Sequence, residues 1–273
     1  MAPKFGTSGL RGLVIDLTSD LVSDHVQAFI RACPVGTGLF VGRDLRPSSL
    51  AISGMVTKAA RAMGLAVTDC GAVPTPALAL AAMELGAAAV MITGSHIPTD
   101  RNGLKFYTPV GEITKNQEID ILNALGDPVN GTVGPDIVQN TTAGDVYITR
   151  FVTAYGTSLT GLRIGVYSHS AVGRDILLDL LTQLGADVIE LGRSSDFIPV
   201  DTEAVDPTVR VHLKSWVMDF GLDAIISTDG DGDRPLMTDA TGTVIMGDVL
   251  GQITGAALDL SLIHISEPTR LTM

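Results

Sequence analysis

The sequence is short of sulfur, of aromatic rings and of positive charge. Cys33 and Cys70 are the only cysteines among 273 residues, and no Cys-x-x-Cys occurs. Neither a zinc cage nor a disulfide framework is signalled, so both thiols read as small buried hydrophobes, consistent with a reducing cytosol. Lys and Arg number 18 against 30 Asp and Glu, a formal charge of −12. That balance repels nucleic acid and anionic lipid, and neither is expected as a partner. An anionic substrate must instead be met by a local cluster of cations. The N-terminal MAPKFGTSGLRG has no apolar core of a signal peptide, so secretion is not expected and a cytoplasmic location is. The longest apolar stretch, Ala77 to Thr93, carries Glu84 and is interrupted by Gly86. It is shorter than the ~20 residues a membrane span needs, and reads as a short helix followed by a buried strand. A P-loop, a G-x-G-x-x-G and a G-x-S-x-G elbow are also missing, which removes the signatures of an NTPase, a dinucleotide enzyme and a serine hydrolase.

What is present is Ala, Val, Leu and Gly, with 45% hydrophobic and only 4% aromatic content. This suits strands buried under helices on both faces of a sheet, an α/β fold. Leu39 to Asp44 reads as a strand. Ile52, Met55, Val56, Ala59, Ala60 and Met63 recur at helical spacing, with Gly64 placed for a left-handed cap. Leu65 to Cys70 is the next strand, Thr75-Pro76 opens a helix running to Gly86, and Ala87 to Ile92 is another buried strand. Strand and helix in alternation imply mainly parallel pairing.

Gly126 to Asp145 has no sustained period and reads as the connection between two domains, 1–140 and 141–258. The second repeats the rhythm: strand Leu162 to Tyr167, a helix carrying Ile176, Leu177, Leu180, Leu181 and Leu184, then Gly185 and strand Val188 to Leu191. Leu222 to Ser227 is a further apolar strand that runs into TDGDGDR, at the carboxyl end where open α/β sheets bind ligands. Residues 259–273 break with what precedes them and read as an atypical tail.

Four groups of residues carry chemistry. Asp229, Asp231 and Asp233 put three carboxylates within five residues, which repel one another unless a hard cation neutralises them. Gly230 and Gly232 let the backbone wrap such an ion. A solvated acidic turn is the plain alternative; an EF-hand is not, because Arg234 and Ala240 stand where its Gly and Glu belong. Arg234 is placed either to pair with a phosphate oxygen or to form a structural ion pair. Thr93-Gly94-Ser95-His96-Ile97-Pro98 and Asn102-Gly103-Leu104-Lys105 gather a hydroxyl, an imidazole and an ammonium in one loop after a buried strand. As a phosphoester, such a serine needs only metal and cationic help to pass on its phosphoryl group. Gly6-Thr7-Ser8-Gly9-Leu10-Arg11-Gly12 and Gly42-Arg43-Asp44-Leu45-Arg46-Pro47-Ser48 mix glycines, hydroxyls and arginines, which suits oxyanion capture by Thr7, Ser8 and Arg43 or simply a turn.

In order and in type, FGTSGLRG, VGRDLRPSS, VPTPAL, TGSHIPTDRNGLKFY and DGDGDR resemble the α-D-phosphohexomutases, most closely the bacterial phosphomannomutases. The resemblance implies two consecutive mixed, mainly parallel three-layer α/β/α domains. It also implies that Ser95 is a phosphoserine, that Asp229, Asp231 and Asp233 hold one Mg²⁺ together with the Ser95 phosphate, and that His96, Lys105 and Arg11 assist transfer while Arg234 steadies the phosphoryl group. The implied reaction interconverts hexose 6-phosphate and hexose 1-phosphate, mannose favoured, through a hexose 1,6-bisphosphate that also serves as activator. Glucose and glucosamine phosphates, a non-catalytic phosphosugar-binding protein and an aspartate-using phosphatase are the alternatives. Ile97 departs from the family, which has Asn there. The family has four domains, so domains III and IV are expected to be missing, and with them most mutase turnover.

Overall fold

The computed structural model describes residues 3–6, 9–128 and 132–259. The first sheet is built from β1 (Lys4–Phe5), β2 (Leu10–Leu13), β3 (Leu39–Arg43), β4 (Val67–Ala72), β5 (Ala88–Ile92), β6 (Arg101–Thr108), β7 (Gly111–Glu112) and β8 (Val138–Gln139). Its order is β1-β2-β6-β5-β3-β4-β8, with β7 paired to β6. β5, β3, β4 and β8 run parallel, while β6, β2 and β1 attach antiparallel at the other edge.

Helices α1 (Ser19–Ala32), α2 (Ser49–Ala62), α3 (Thr75–Glu84) and α4 (Lys115–Asn123) cover this sheet on both faces. The reason is visible along β5, whose five residues are all buried. Ala88, Val90 and Ile92 point into a core with Val26 and Phe29 of α1 and Ile52 and Val56 of α2. Ala89 and Met91 point the other way, onto Ala77, Leu78 and Ala81 of α3. A strand wet on neither face must be apolar at every position, and this one is. Capping fixes the helix ends: the Thr18 side chain accepts the Leu21 N–H, and Thr114 with Gln117 completes a capping box on α4. Gly64, at φ 80°, stands just beyond α2 in the left-handed region.

The second unit comprises α5 (Ala143–Tyr155), β9 (Arg163–Tyr167), α6 (Arg174–Gln183), β10 (Asp187–Leu191), α7 (Pro207–Phe220), β11 (Ala224–Thr228), β12 (Pro235–Thr238), β13 (Val244–Ile245) and α8 (Gly247–Ala257). Its sheet has the order β10-β9-β11-β12-β13, parallel across the first three strands and antiparallel at β12 and β13. Leu213 and Val217 of α7 pack with Ile225 on one face, and Leu181 of α6 packs with Ile164 and Val166 on the other. The fold is thus α/β with two mixed three-layer units, as the sequence implied.

The connection is more ordered than its composition suggests. Val138 and Gln139 extend the first sheet as a parallel edge strand beside Thr68 and Asp69, and α5 begins at Ala143, inside the stretch expected to be irregular. A two-residue strand is set by its neighbour's free backbone groups and leaves no periodic trace in its own sequence. Among the described residues no helix is long and apolar enough to cross a membrane.

Candidate active site

β5 delivers the chain to Thr93-Gly94-Ser95. The Thr93 hydroxyl accepts the Ser95 N–H at 2.7 Å and donates to Asp44 Oδ2 at 2.8 Å. Ser95 is fully buried and has φ 51°, a left-handed conformation that a serine adopts at a cost and that surrounding contacts must hold. Asp44 also accepts the Ser49 hydroxyl at 2.5 Å and the Arg46 N–H at 3.0 Å. Asn102 of β6 donates to the Ser48 and Ser49 hydroxyls. Two loops and the start of β6 are therefore one hydrogen-bonded body.

β11 delivers the second loop. Asp229 folds the chain back on itself: its N–H donates to the Arg234 carbonyl at 3.1 Å, and its Oδ1 accepts the N–H groups of Gly232 and Arg234. Gly232 has φ 80°, which the turn requires. A Cβ on Gly230 would stand 3.0 Å from the Ser95 carbonyl oxygen. A side chain there would require the two loops to give by a few tenths of an ångström. One carboxylate oxygen from each of Asp229, Asp231 and Asp233 lies within 4.8 Å of the others. Asp229 and Asp231 are fully buried, and Asp231 Oδ1 has no hydrogen-bond partner among the described residues. An orphaned, buried carboxylate oxygen beside two further carboxylates is what a hard cation would satisfy, so the residues fit such an ion.

The two units meet here through five polar side-chain contacts. Ser95 Oγ donates to Asp229 Oδ2 at 2.5 Å. Thr75, at the start of α3, donates its hydroxyl to Asp231 Oδ2 at 2.6 Å and its N–H to the Asp231 carbonyl at 2.8 Å. Lys105 of β6 places its ammonium 2.8 Å from Asp231 Oδ2 and also against Asp233. Arg234 donates to His96 Nδ1 at 3.2 Å, beside an ion pair to Glu203 at 3.3 Å, and the same imidazole nitrogen is 3.4 Å from Ser95 Oγ.

These contacts tune the charges. Burial, then the neighbouring Asp231 and Asp233, pushes the Asp229 carboxyl up to about 7. Asp231 is also penalised by burial, but Lys105 outweighs that and holds it below the usual carboxylate range. Burial alone would lower Lys105; Asp231 and Asp233 reverse the sign and keep the ammonium protonated. Arg11 of β2 is lowered by burial, in the field of the same aspartates, and its Nε has no hydrogen-bond partner among the described residues.

Ser95, His96, Lys105, Asp229, Asp231, Asp233 and Arg234 thus come together, with Arg11 close enough to feel the aspartates. Lys105 lies on a strand and not in the serine loop: β6 is buried on both faces because one face lines the site, so its polar residues hide a strand's pattern. Arg43 closes β3; the arginine of that segment that reaches the serine loop is Arg46, after the turn at Asp44, donating to the Ser95 carbonyl at 3.0 Å. Thr7 and Ser8 lie outside the described residues. Thr75, Asp44 and Arg46 escaped the sequence reading. VPTPAL and VGRDLRPSS had flagged their neighbourhoods, but nothing local marks which polar residue is buried.

Two three-layer α/β units that face a buried serine onto three aspartates define the class, the phosphohexomutases. Residues 2–127 match phosphoglucomutase/phosphomannomutase, alpha/beta/alpha domain I, and residues 145–242 match domain II of the same family; the chain belongs to the phosphoglucomutase/phosphomannomutase family. It is similar to a phosphomannomutase of Sinorhizobium fredii, 46% identical over 96% of this chain and 58% of the relative. A Salmonella muenchen phosphomannomutase is 41% identical over 96% of this chain and 55% of the relative. A phosphoglucosamine mutase of Thermobifida fusca is 33% identical over 91% and 58%. The chain therefore spans little more than half the length of these relatives. Among solved structures, a phosphoglucomutase/phosphomannomutase family protein of Burkholderia thailandensis superposes with a TM-score of 0.78 at 24% identity, over 92% of this chain and 58% of the other. The Paramecium phosphoglucomutase parafusin, in open form, superposes with a TM-score of 0.70 at 18% identity, over 96% and 58%. At these identities the superpositions speak for the fold.

Proposed function

We propose that this chain is the phosphoryl-carrying part of a cytoplasmic hexose-phosphate mutase, with Ser95 as the carrier. The observation that supports it most is the 2.5 Å approach of Ser95 Oγ to Asp229 Oδ2 across two separately folded loops. The higher identity to phosphomannomutases than to the phosphoglucosamine mutase favours mannose 6-phosphate and mannose 1-phosphate as the interconverted pair. In this reading residues 1–140 supply the serine loop and 141–258 the aspartate loop. The remaining length of the relatives supplies the loops that recognise the sugar and its second phosphate, so the chain alone turns over weakly or not at all.

Asp229, Asp231 and Asp233 would hold one Mg²⁺, with the Ser95 phosphate, and the ion would offset charge on the transferred group. In the forward half-reaction the bond between Ser95 Oγ and phosphorus breaks as a sugar hydroxyl bonds to phosphorus, giving the hexose 1,6-bisphosphate; the other phosphate returns to Ser95. Arg11, with its unpaired Nε, and Arg234 bind phosphoryl oxygens. When Arg234 turns to the phosphate it frees His96 Nδ1 to take the hydroxyl proton. Lys105, kept protonated by its aspartates, is the acid. Thr7 and Ser8, by the chemistry of their hydroxyls, would add oxyanion contacts.

Intact mass and peptide mapping, before and after incubation with Mg²⁺ and a hexose 1,6-bisphosphate, test the proposal on wild type and Ser95→Ala. One phosphate on Ser95, absent from the variant, is expected. Phosphate that persists in Ser95→Ala but disappears in Asp229→Asn would instead point to transfer through an aspartate.

A further inference from the structure

The serine loop is shaped by a single guanidinium from another segment. Arg46 is 2% exposed, and all four of its terminal N–H groups are spent on carbonyls of residues 95–101. Nη2 donates to Ser95 at 3.0 Å and Ile97 at 2.5 Å. Nη1 donates to Pro98 at 2.7 Å and Arg101 at 3.0 Å. Nε lies 3.2 Å from Asp44 Oδ2, an ion pair off the hydrogen-bonding axis. Asp44 reaches the Ser95 N–H through the Thr93 hydroxyl. The N–H and the C=O of Ser95 are thus both tied to one buried ion pair, which is what holds a serine at φ 51°. There is no slack: a Cβ on Gly94 would stand 2.7 Å from Arg46 Cζ.

The far face of the guanidinium is covered from the second unit. The Phe197 ring centroid lies 4.2 Å from Arg46 Cζ, a stacking distance for a cation on an aromatic face. The same ring would stand 3.0 Å from a Cβ on Gly230, in the aspartate loop. Arg46 therefore sits where the serine loop, Phe197 and the aspartate loop come together.

We propose that Arg46 is the positioning residue for Ser95, setting the loop conformation that aims the hydroxyl at Asp229, and that Phe197 makes the order of that loop depend on the docked second unit. Lysine does not substitute, because one ammonium cannot serve four carbonyls spread along a planar fork.

Hydrogen exchange of wild type, Arg46→Lys and Phe197→Leu, read by mass spectrometry, tests this without any activity. Exchange across 93–101 is expected to quicken about tenfold in Arg46→Lys and by less in Phe197→Leu, with α1 and β10 unchanged in both. Wild-type exchange across 93–101 in Arg46→Lys overturns the proposal, and so does acceleration spread evenly over the chain, the mark of a general stabiliser. If Arg46→Lys does not fold, Phe197→Leu decides alone: faster exchange confined to 93–101 supports the proposal, and wild-type exchange overturns it.

A second readout rests on the phosphoserine reading. Phosphorylation of Ser95 by a hexose 1,6-bisphosphate is expected to slow about 100-fold in Arg46→Lys, and to recover in part in Arg46→Ala on adding methylguanidinium. Phosphorylation at the wild-type rate in Arg46→Lys overturns the role of Arg46 and leaves the phosphoserine reading intact. A wild type that takes no phosphate sinks that reading, and the exchange result alone then judges Arg46.

Discussion

Ser95 and Asp229 are 134 positions apart in the chain and share a hydrogen bond of 2.5 Å. Each sits on its own loop at the carboxyl end of a parallel strand, and the bond is where the two units of the chain converge on one atom pair. Asp229→Asn keeps the shape and removes the charge. Divalent cation affinity, followed by calorimetry with Mg²⁺, is expected to fall roughly tenfold or more. An unchanged affinity would remove Asp229 from the metal site.

Lys105 balances two carboxylates in a buried setting. Lys105→Met leaves those charges facing each other and is expected to cost about 3 kcal/mol of stability in metal-free buffer. Adding Mg²⁺ is expected to restore more stability to the variant than to wild type, since the cation takes over the neutralising role. Urea unfolding with and without Mg²⁺ measures both; a loss indifferent to Mg²⁺ would place the ion elsewhere.

His169 is fully buried and its Nε2 donates to the Thr228 carbonyl, one residue before the aspartate loop, at 2.8 Å. Burial pushes its pKa down to about 4. The unfolded chain takes up this proton near pH 6.5 and the folded protein only near 4, so the unfolded state binds more protons between them. Stability from this group is complete above pH 6.5 and declines as pH falls to 4, by roughly 3 kcal/mol in all. His169→Asn, which tolerates the positive φ of this position, is expected to flatten the stability curve in that window. A slope equal to wild type would show that the imidazole protonates freely in the fold.

Thr75 is bound to Asp231 through both hydroxyl and N–H. Thr75→Val retains volume and the backbone bond but leaves Asp231 Oδ2 with Lys105 alone. A loss of about 2 kcal/mol is expected from one bond to a charged acceptor, together with weaker cohesion between the units in limited proteolysis. A loss within a few tenths of a kcal/mol would show that Lys105 already satisfies the oxygen.

What could be read from the sequence, and what could not, divides along burial. β3, β5, β9 and β11 announce themselves because strands covered on both faces must be apolar over most of their length. The aspartate loop was legible because three carboxylates so close together need a reason. β6 was hidden because Asn102 and Lys105 are buried for the sake of the site and break the apolar run. α1 and α7 bury one stripe at helical spacing, Val22, Val26 and Phe29 in the first and Leu213 and Val217 in the second, amid polar residues that mask it. Arg46 could not be found: an arginine with all four terminal N–H groups occupied is written like an arginine in solvent, and only the folded chain shows the four carbonyls around it.

Helix α5 belongs to both units. Its first turns place Ala143 and Tyr147 in the core beneath α3, and the following turns place Ile148, Phe151 and Val152 against Leu180 and Leu184. The two units are therefore not interchangeable modules joined by a string. A chimera that takes its serine half from one relative and its aspartate half from another must inherit α5 together with both surfaces it rests on. A crossover placed at the sequence boundary near residue 140 would match a foreign helix to a native α3, and recombination across this family is expected to succeed only where that helix and its two beds have changed in step.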